Sequence, residues 1–235
     1  MNQLHTQLYD QPFTLLVSLP ANDVRLAEAA LRGGAQGLKV HINVQHFASG
    51  TRFGSLDEER ENLNQIIEVA RAANASVGIV PGAATADGTL FATPDEFAEL
   101  ATMGIDYFDA YPADAPAWTL SQKHLDVMIA AFDGGTIAQL WALEKAGMRL
   151  CEASLMHHDH YGKALNALDV ATYAELCAAL ASPVIVPSQK RLIPADLPAL
   201  RAAGVRGALI GAIVTGREAE SIESAARAFR DAMTF

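Results

Sequence analysis

The helices this sequence predicts stop repeatedly at glycine, and a short apolar run follows within two or three residues. Gly33-Gly34 precedes GLKVHIN at 37–43, and Gly104 precedes IDYFDA at 105–110. Gly147 precedes MRLCEASL at 148–155, and Gly204 precedes ALIG at 208–211. Glycine closes helices because it enters the left-handed conformation without a Cβ penalty. A near-continuous apolar run of strand length is what a parallel strand buried on both faces requires. The chain is therefore a series of strand–helix units joined by tight connections.

The alternation covers the whole sequence. Strands are predicted at 13–18, 37–43, 76–81, 105–110, 126–132, 148–155, 183–187 and 208–211. Between them, Asn22 or Asp23 caps a helix with Leu26, Ala29 and Ala30 on one stripe, and 56–73 repeats Leu63, Ile66, Ile67 and Ala70 at helical spacing. Thr93-Pro94-Asp95-Glu96 is a helix start with a cap, a proline in the first turn and acids beside the positive end. Further helices are expected at 136–146, 170–180, from Pro194 through Leu197 and Leu200, and at 217–233, with an irregular stretch at 111–122 around Pro112 and Pro116. Eight units in 235 residues match a single (β/α)8 TIM barrel, read as one domain over 1–235. An open doubly wound sheet is the alternative, but Ser18-Leu19-Pro20-Ala21 after the first strand is not its glycine-rich turn.

Charge narrows the partners. With 27 acidic against 17 basic residues the formal net charge is -10, which argues against nucleic acid and anionic membranes. A phosphorylated small molecule needs only one local positive site and stays open. Cys151 and Cys177 form neither a disulfide framework nor a zinc spacing, so a reducing cytoplasm is expected. No signal peptide and no bilayer-length apolar run is read.

Active sites of such barrels sit at the C-terminal strand ends. Polar residues there are Ser18 on strand one; Lys39, His41 and Asn43, spaced by two and hence on one face; Asp109 and Tyr111; Glu152 and Ser154; and Ser188, Gln189 and Lys190. A buried lysine needs an acid partner, and Glu152 and Asp109 are available. A lysine and a carboxylate across a barrel can move a proton next to a carbonyl. The lysine can instead form a Schiff base, or the pair can be a structural ion pair filling the core. Asp109 either orients a substrate hydroxyl or satisfies backbone at the strand end. The loop at 48–55 offers Arg52 to an anion and Phe53 to exclude water. His157, His158 and His160 are too close in sequence to converge readily on one ion, and one of them as a general acid or substrate contact is the better reading; neither a metal nor a cofactor is expected.

The segment PVIVPSQKRLIPADLPALRAAGVRGALIGAIVTG at 183–216 supplies the last two strands, and the loops after them are where such barrels often hold phosphate. It resembles the closing segment of the ribulose-phosphate-binding barrels. That resemblance implies a phosphate held by Ser188 and Gln189 in a first loop and Gly211, Ala212 and Ile213 in a second. KVHINVQHF followed by SGTRFG is similar to the second-strand segment of ribulose-phosphate epimerases, but their metal-binding His and Asp fall on Lys39 and His41. Their acidic turn after strand seven is replaced by Pro187-Ser188-Gln189. The expected chemistry therefore comes from strands two, four and six. The expectation is a metal-independent isomerase or epimerase of a small phosphorylated carbonyl compound. Lys39 and Glu152 would be acid and base, Asp109 and His41 would orient hydroxyls, and Ser18, Asn43, Arg52 and Lys190 would add substrate contacts. A Schiff-base lyase using Lys39 and a non-catalytic phosphometabolite-binding barrel are the alternatives. The alanine-rich helices are compatible with a homodimer.

Overall fold

In the computed structural model, which describes residues 3–85 and 88–234, eight parallel strands close into a barrel. They are β1 (Thr14–Ser18), β2 (Gly37–His41), β3 (Ser76–Val80), β4 (Tyr107–Ala110), β5 (Asp126–Phe132), β6 (Leu150–Ser154), β7 (Val184–Pro187) and β8 (Gly207–Ile210). β8 pairs with β1, Leu16 opposite Leu209, and this ladder closes the ring. The helices are α1 (Gln3–Asp10), α2 (Val24–Arg32), α3 (Leu56–Ala72), α4 (Pro94–Met103), α5 (Ile137–Ala146), α6 (Ala167–Ala179), α7 (Leu197–Ala202), α8 (Ala212–Thr215) and α9 (Ala219–Asp231). The (β/α)8 expectation holds, and β5 has the predicted bounds. The stretch 111–122 contains one 3-10 turn, Ala117–Leu120.

Local chemistry explains the ends. Thr93 and Glu96 form a reciprocal capping box on α4, Pro94 sits in its first turn, and Gly104 closes it at a φ of 118°. Asp23, rather than Asn22, caps α2 by accepting from the Arg25 N–H. α6 starts at Ala167, earlier than its apolar spacing suggests, because Asn166 caps it.

The strand pleat sorts side chains into two cores. Leu15, Val17, Leu38, Val40 and their counterparts point outward and pack under the helices. Leu16, Tyr107, Met128, Leu150, Ile185 and Leu209 point inward and form a second cluster with Leu4 and Leu8 of α1. α1 thus stoppers the N-terminal end of the barrel, a role its polar sequence does not advertise. Two residues further along, the same inward face carries Ser18, Lys39, Asp109, Ala130 and Glu152. The inner apolar layer leaves little slack. A Cβ on Gly78 would collide with the buried ring of Tyr107, so Gly78→Ala is expected to cost about 2–3 kcal/mol, measured as a lower urea midpoint at unchanged slope.

Three segments differ from the expectation. β2 ends at His41, and Asn43 turns the chain at a φ of 57°. Two hairpins follow strands two and three, pairing Val44–Gln45 with Arg52–Phe53 and Gly82–Thr85 with Gly88–Phe91. Ahead of the closing helix, expected from 217, stands the single turn α8, stopped by Gly216 at a φ of 67°. No helix among the described residues is long and apolar enough to cross a membrane.

Candidate active site

A cavity of about 300 Å³ opens at the C-terminal ends of the strands. Ser18, Lys39, His41, Asp109, Glu152, Ser188, Gln189, Gly211, Ala212 and Ile213 all line it, so most of the residues singled out in the sequence meet in one place. Its floor is an ionic cluster. Lys39 Nζ lies 2.7 Å from Asp109 Oδ2 and 2.5 Å from Glu152 Oε2. The three side chains are 8%, 3% and 8% exposed. Ser154 Oγ donates to the other Glu152 oxygen at 2.6 Å.

Two carboxyls face one ammonium, so full ionisation would leave a net negative charge in a buried site. Burial drives Asp109 well above the ordinary carboxylate range, and the neighbouring charge of Glu152 drives it further. Burial pushes Glu152 up as well. The Lys39 charge and hydrogen bonds from Asp109, Lys39 and Ser154 outweigh that and hold it at about 2. Burial alone would neutralise Lys39, but the two carboxyls keep it protonated beyond the usual lysine range. The cluster is an ammonium, a carboxylate and a carboxylic acid that share protons. Asp109 Oδ1 is buried with no hydrogen-bond partner among the described residues.

His41 stands beside this cluster. Its ring stacks on Phe53 and lies against His46, both at 4.6 Å between centroids. Neither ring nitrogen has a hydrogen-bond partner among the described residues. Burial, with the charges of His46 and Lys39 adding to it, holds His41 well below the ordinary imidazole value. The same burial and Lys39 lower His46 to about 4, against an opposing pull from Glu152. His46 Nδ1 contacts Ser49 Oγ at 2.8 Å.

At the other end, Ser188 Oγ accepts the Gly211 N–H at 2.8 Å. One turn of helix carries little macrodipole, so whatever α8 offers is local backbone N–H, not a long-range field. Lys39 is the only lysine or arginine lining the cavity among the described residues.

Three predicted contacts lie elsewhere. Asn43 spends its side chain on the Pro81 carbonyl at 3.3 Å, because the chain turns where the strand was expected to continue. Arg52 is 70% exposed and pairs with Glu58 at 3.7 Å. In its hairpin Phe53 points in, so its neighbour must point out. Lys190 turns to Asp169 of α6 at 3.1 Å. Of the histidine run, His158 stacks on exposed Phe47 at the mouth, 4.8 Å between centroids. Among the described residues no group of three or more His, Cys, Asp or Glu side chains is placed to hold a metal ion. Sequence reading assigned no role to Phe47 and Tyr161, which also line the cavity. Both sit on loops, where no periodicity marks an inward face.

No family model and no curated protein matches the chain in sequence. Solved structures match it in fold. A thiamine phosphate pyrophosphorylase from Pyrococcus furiosus superposes with a TM-score of 0.67 at 14% identity, over 94% of this chain and 96% of that one. KGPDC from Streptococcus mutans, solved as a ligand complex, gives 0.65 at 18% identity, over 95% and 98%. A ligand-free tryptophan synthase from M. tuberculosis gives 0.71 at 14% identity, over 100% of both chains. At these identities the likeness is one of fold, a (β/α)8 barrel matched over nearly the whole of each chain.

Proposed function

We propose that this chain is an isomerase or epimerase that moves a proton next to the carbonyl of a small phosphorylated compound. The observation that carries the reading is the Lys39–Asp109–Glu152 cluster at the cavity floor. It offers a carboxylate to take a proton, a carboxylic acid to return one, and an ammonium to stabilise a developing oxyanion. A substrate oxygen that approaches Lys39 Nζ loosens one of its two short contacts. The carboxylate so released loses its stabilising charge and becomes the stronger base. The His41 ring nitrogens and Asp109 Oδ1, which have no hydrogen-bond partner among the described residues, suit its hydroxyls. The phosphate would lie toward Ser188 and Gly211. The likeness to an enzyme named for thiamine phosphate supports a phosphorylated ligand.

A Schiff base needs a neutral amine, and two carboxyls that keep Lys39 protonated weigh against it. The two chemistries separate in one experiment. Incubated in D2O with a panel of phosphorylated ketoses and aldoses, the protein is expected to place deuterium on the carbon next to the carbonyl of at least one. Borohydride added to the same mixture is expected to leave Lys39 unmodified by mass spectrometry. A trapped adduct at Lys39 would make the protein a lyase. Binding without exchange or cleavage across the panel would make it a binding barrel.

A further inference from the structure

Glu152 and Asp109 face the same ammonium, yet their remaining oxygens are engaged differently. Lys39 Nζ lies 2.5 Å from Glu152 Oε2, so a proton on Glu152 would have to sit on Oε1. That oxygen already accepts the Ser154 hydroxyl at 2.6 Å. Asp109 Oδ1 has no hydrogen-bond partner among the described residues, so a proton on Asp109 displaces no donor. The strand pleat sets a hydroxyl beyond each carboxyl. Ser154 stands two residues after Glu152 on β6, and Tyr111 two residues after Asp109, just past the end of β4. The Tyr111 hydroxyl is hydrogen-bonded to those of Ser154 and Tyr161.

Counting hydrogens gives this row of hydroxyls one direction. Each hydroxyl has a single hydrogen to give. Ser154 gives its own to Glu152, so Tyr111 supplies the hydrogen between Tyr111 and Ser154. Tyr161 then supplies the one between itself and Tyr111. The Tyr161 oxygen in turn receives a hydrogen from Gln189 Nε2 at 2.7 Å. The Gln189 amide lies only this way round, because its oxygen accepts the Met156 backbone N–H at 3.1 Å. Every hydrogen in the row runs toward Glu152, and hydroxyls chained in one direction polarise one another. A proton on Glu152 Oε1 would turn Ser154, Tyr111 and Tyr161 over together and leave the Tyr161 hydrogen without Tyr111 to receive it.

We infer that Ser154 and Tyr111 are positioning residues for a proton: their one-way row of hydrogen bonds keeps Glu152 the carboxylate and leaves the proton on Asp109. On the proposed reading of the site, on which the chemical consequence rests, Glu152 is the base that takes the substrate proton and Asp109 the acid that returns one.

The test needs no substrate. The protein is labelled with 13C at its glutamate side-chain carboxyls, and the Glu152 signal is identified by its loss in Glu152→Gln. In the wild type that signal is expected to keep its carboxylate position from pH 7 to 4.5. Ser154→Ala removes one hydrogen bond to a charged group. It should let Glu152 take its proton at a roughly tenfold lower proton concentration or more, so that the signal starts toward the acid form within that range. Tyr111→Phe removes one hydroxyl and keeps the ring. It should move the signal the same way by less, and no further once Ser154 is alanine, because the row is then already cut. The Ser154 hydroxyl proton reads Tyr111→Phe directly: a downfield 1H resonance, lost in Ser154→Ala, is expected to move upfield. A Glu152 signal indifferent to Ser154→Ala would overturn the inference, as would a hydroxyl resonance that Tyr111→Phe leaves in place. So would a Tyr111→Phe effect of equal size on both backgrounds, which a merely loosened mouth would give. A row that behaves as expected in a protein that exchanges no substrate hydrogen would instead remove the proposed function and leave the placement of the proton standing.

Discussion

Lys39→Met is expected to lower the rate of proton exchange by about a thousandfold or more and to destabilise the fold by about 3–5 kcal/mol. Both effects follow from one removed charge. Lys39 Nζ touches Asp109 and Glu152 at 2.7 and 2.5 Å, and all three side chains are buried. Methionine fills nearly the same volume, so the packing loss is small. What remains is a carboxylate with no compensating cation in a low-dielectric site, and breaking a buried pair in this way costs more than the pair contributed. Glu152, held at about 2 by Lys39, is then expected to rise and the two carboxyls to share an added proton. The sign follows directly. Carboxyls whose folded pKa lies above the unfolded value favour the folded state at low pH and lose that contribution as pH rises. The variant should therefore be more stable at pH 5 than at pH 8 in urea titrations, relative to wild type. Adding Glu152→Gln should recover most of the stability and none of the activity. Stability that stays low in the double variant would mean that Lys39 acts through packing.

The second large effect is acid destabilisation of the wild type. His41 and His46 lie against each other and are both held below the ordinary imidazole value by burial, His46 at about 4 and His41 well below. Groups whose folded pKa is depressed contribute stability above the unfolded value, near 6.5, and lose it as pH falls toward the folded value. Between about pH 6 and 4 the unfolded chain thus binds up to two protons that the folded chain refuses. Each imidazole contributes a slope of about 1.4 kcal/mol per pH unit. Below about pH 4.5 Glu152 adds a loss of the same sign, while Asp109, raised rather than lowered, holds its proton in the folded chain above its unfolded value near 3.8 and so opposes part of the histidine slope within the window. The check is the urea midpoint measured from pH 7 to 4.5. His41→Phe, which keeps a ring against Phe53, should reduce the slope by about half. An unchanged slope would place the acid-sensitive groups elsewhere.

Much of this could be read before any coordinates. The strand pleat links spacing directly to direction, so Lys39, Asp109 and Glu152 could be assigned to one interior from apolar neighbours alone. The caps at Thr93 and the turn at Gly104 are local chemistry and fell where expected. The failures share a cause. Asn43, Arg52 and Lys190 lie just past strand ends, where direction is set by turns and hairpins, not by a period of two. α1 escaped notice because only Leu4 and Leu8 of its eight residues are buried. Gln189 lines the cavity, but its amide is held by the Met156 N–H and the Tyr161 hydroxyl, loop contacts that no strand spacing reveals.

The helix that caps the lower end of the barrel has a consequence for traffic. With Leu4 and Leu8 seated on the inner apolar layer, the chamber is a cul-de-sac. Among the described residues Phe47, His158 and Tyr161 border its open side, and on the proposed reading reactant, product and solvent would share that doorway. On that same reading, a proton lifted onto the carboxylates while a substrate occupies the doorway would meet the same molecule again. A blind chamber of this kind favours reactions that give back the atom they take.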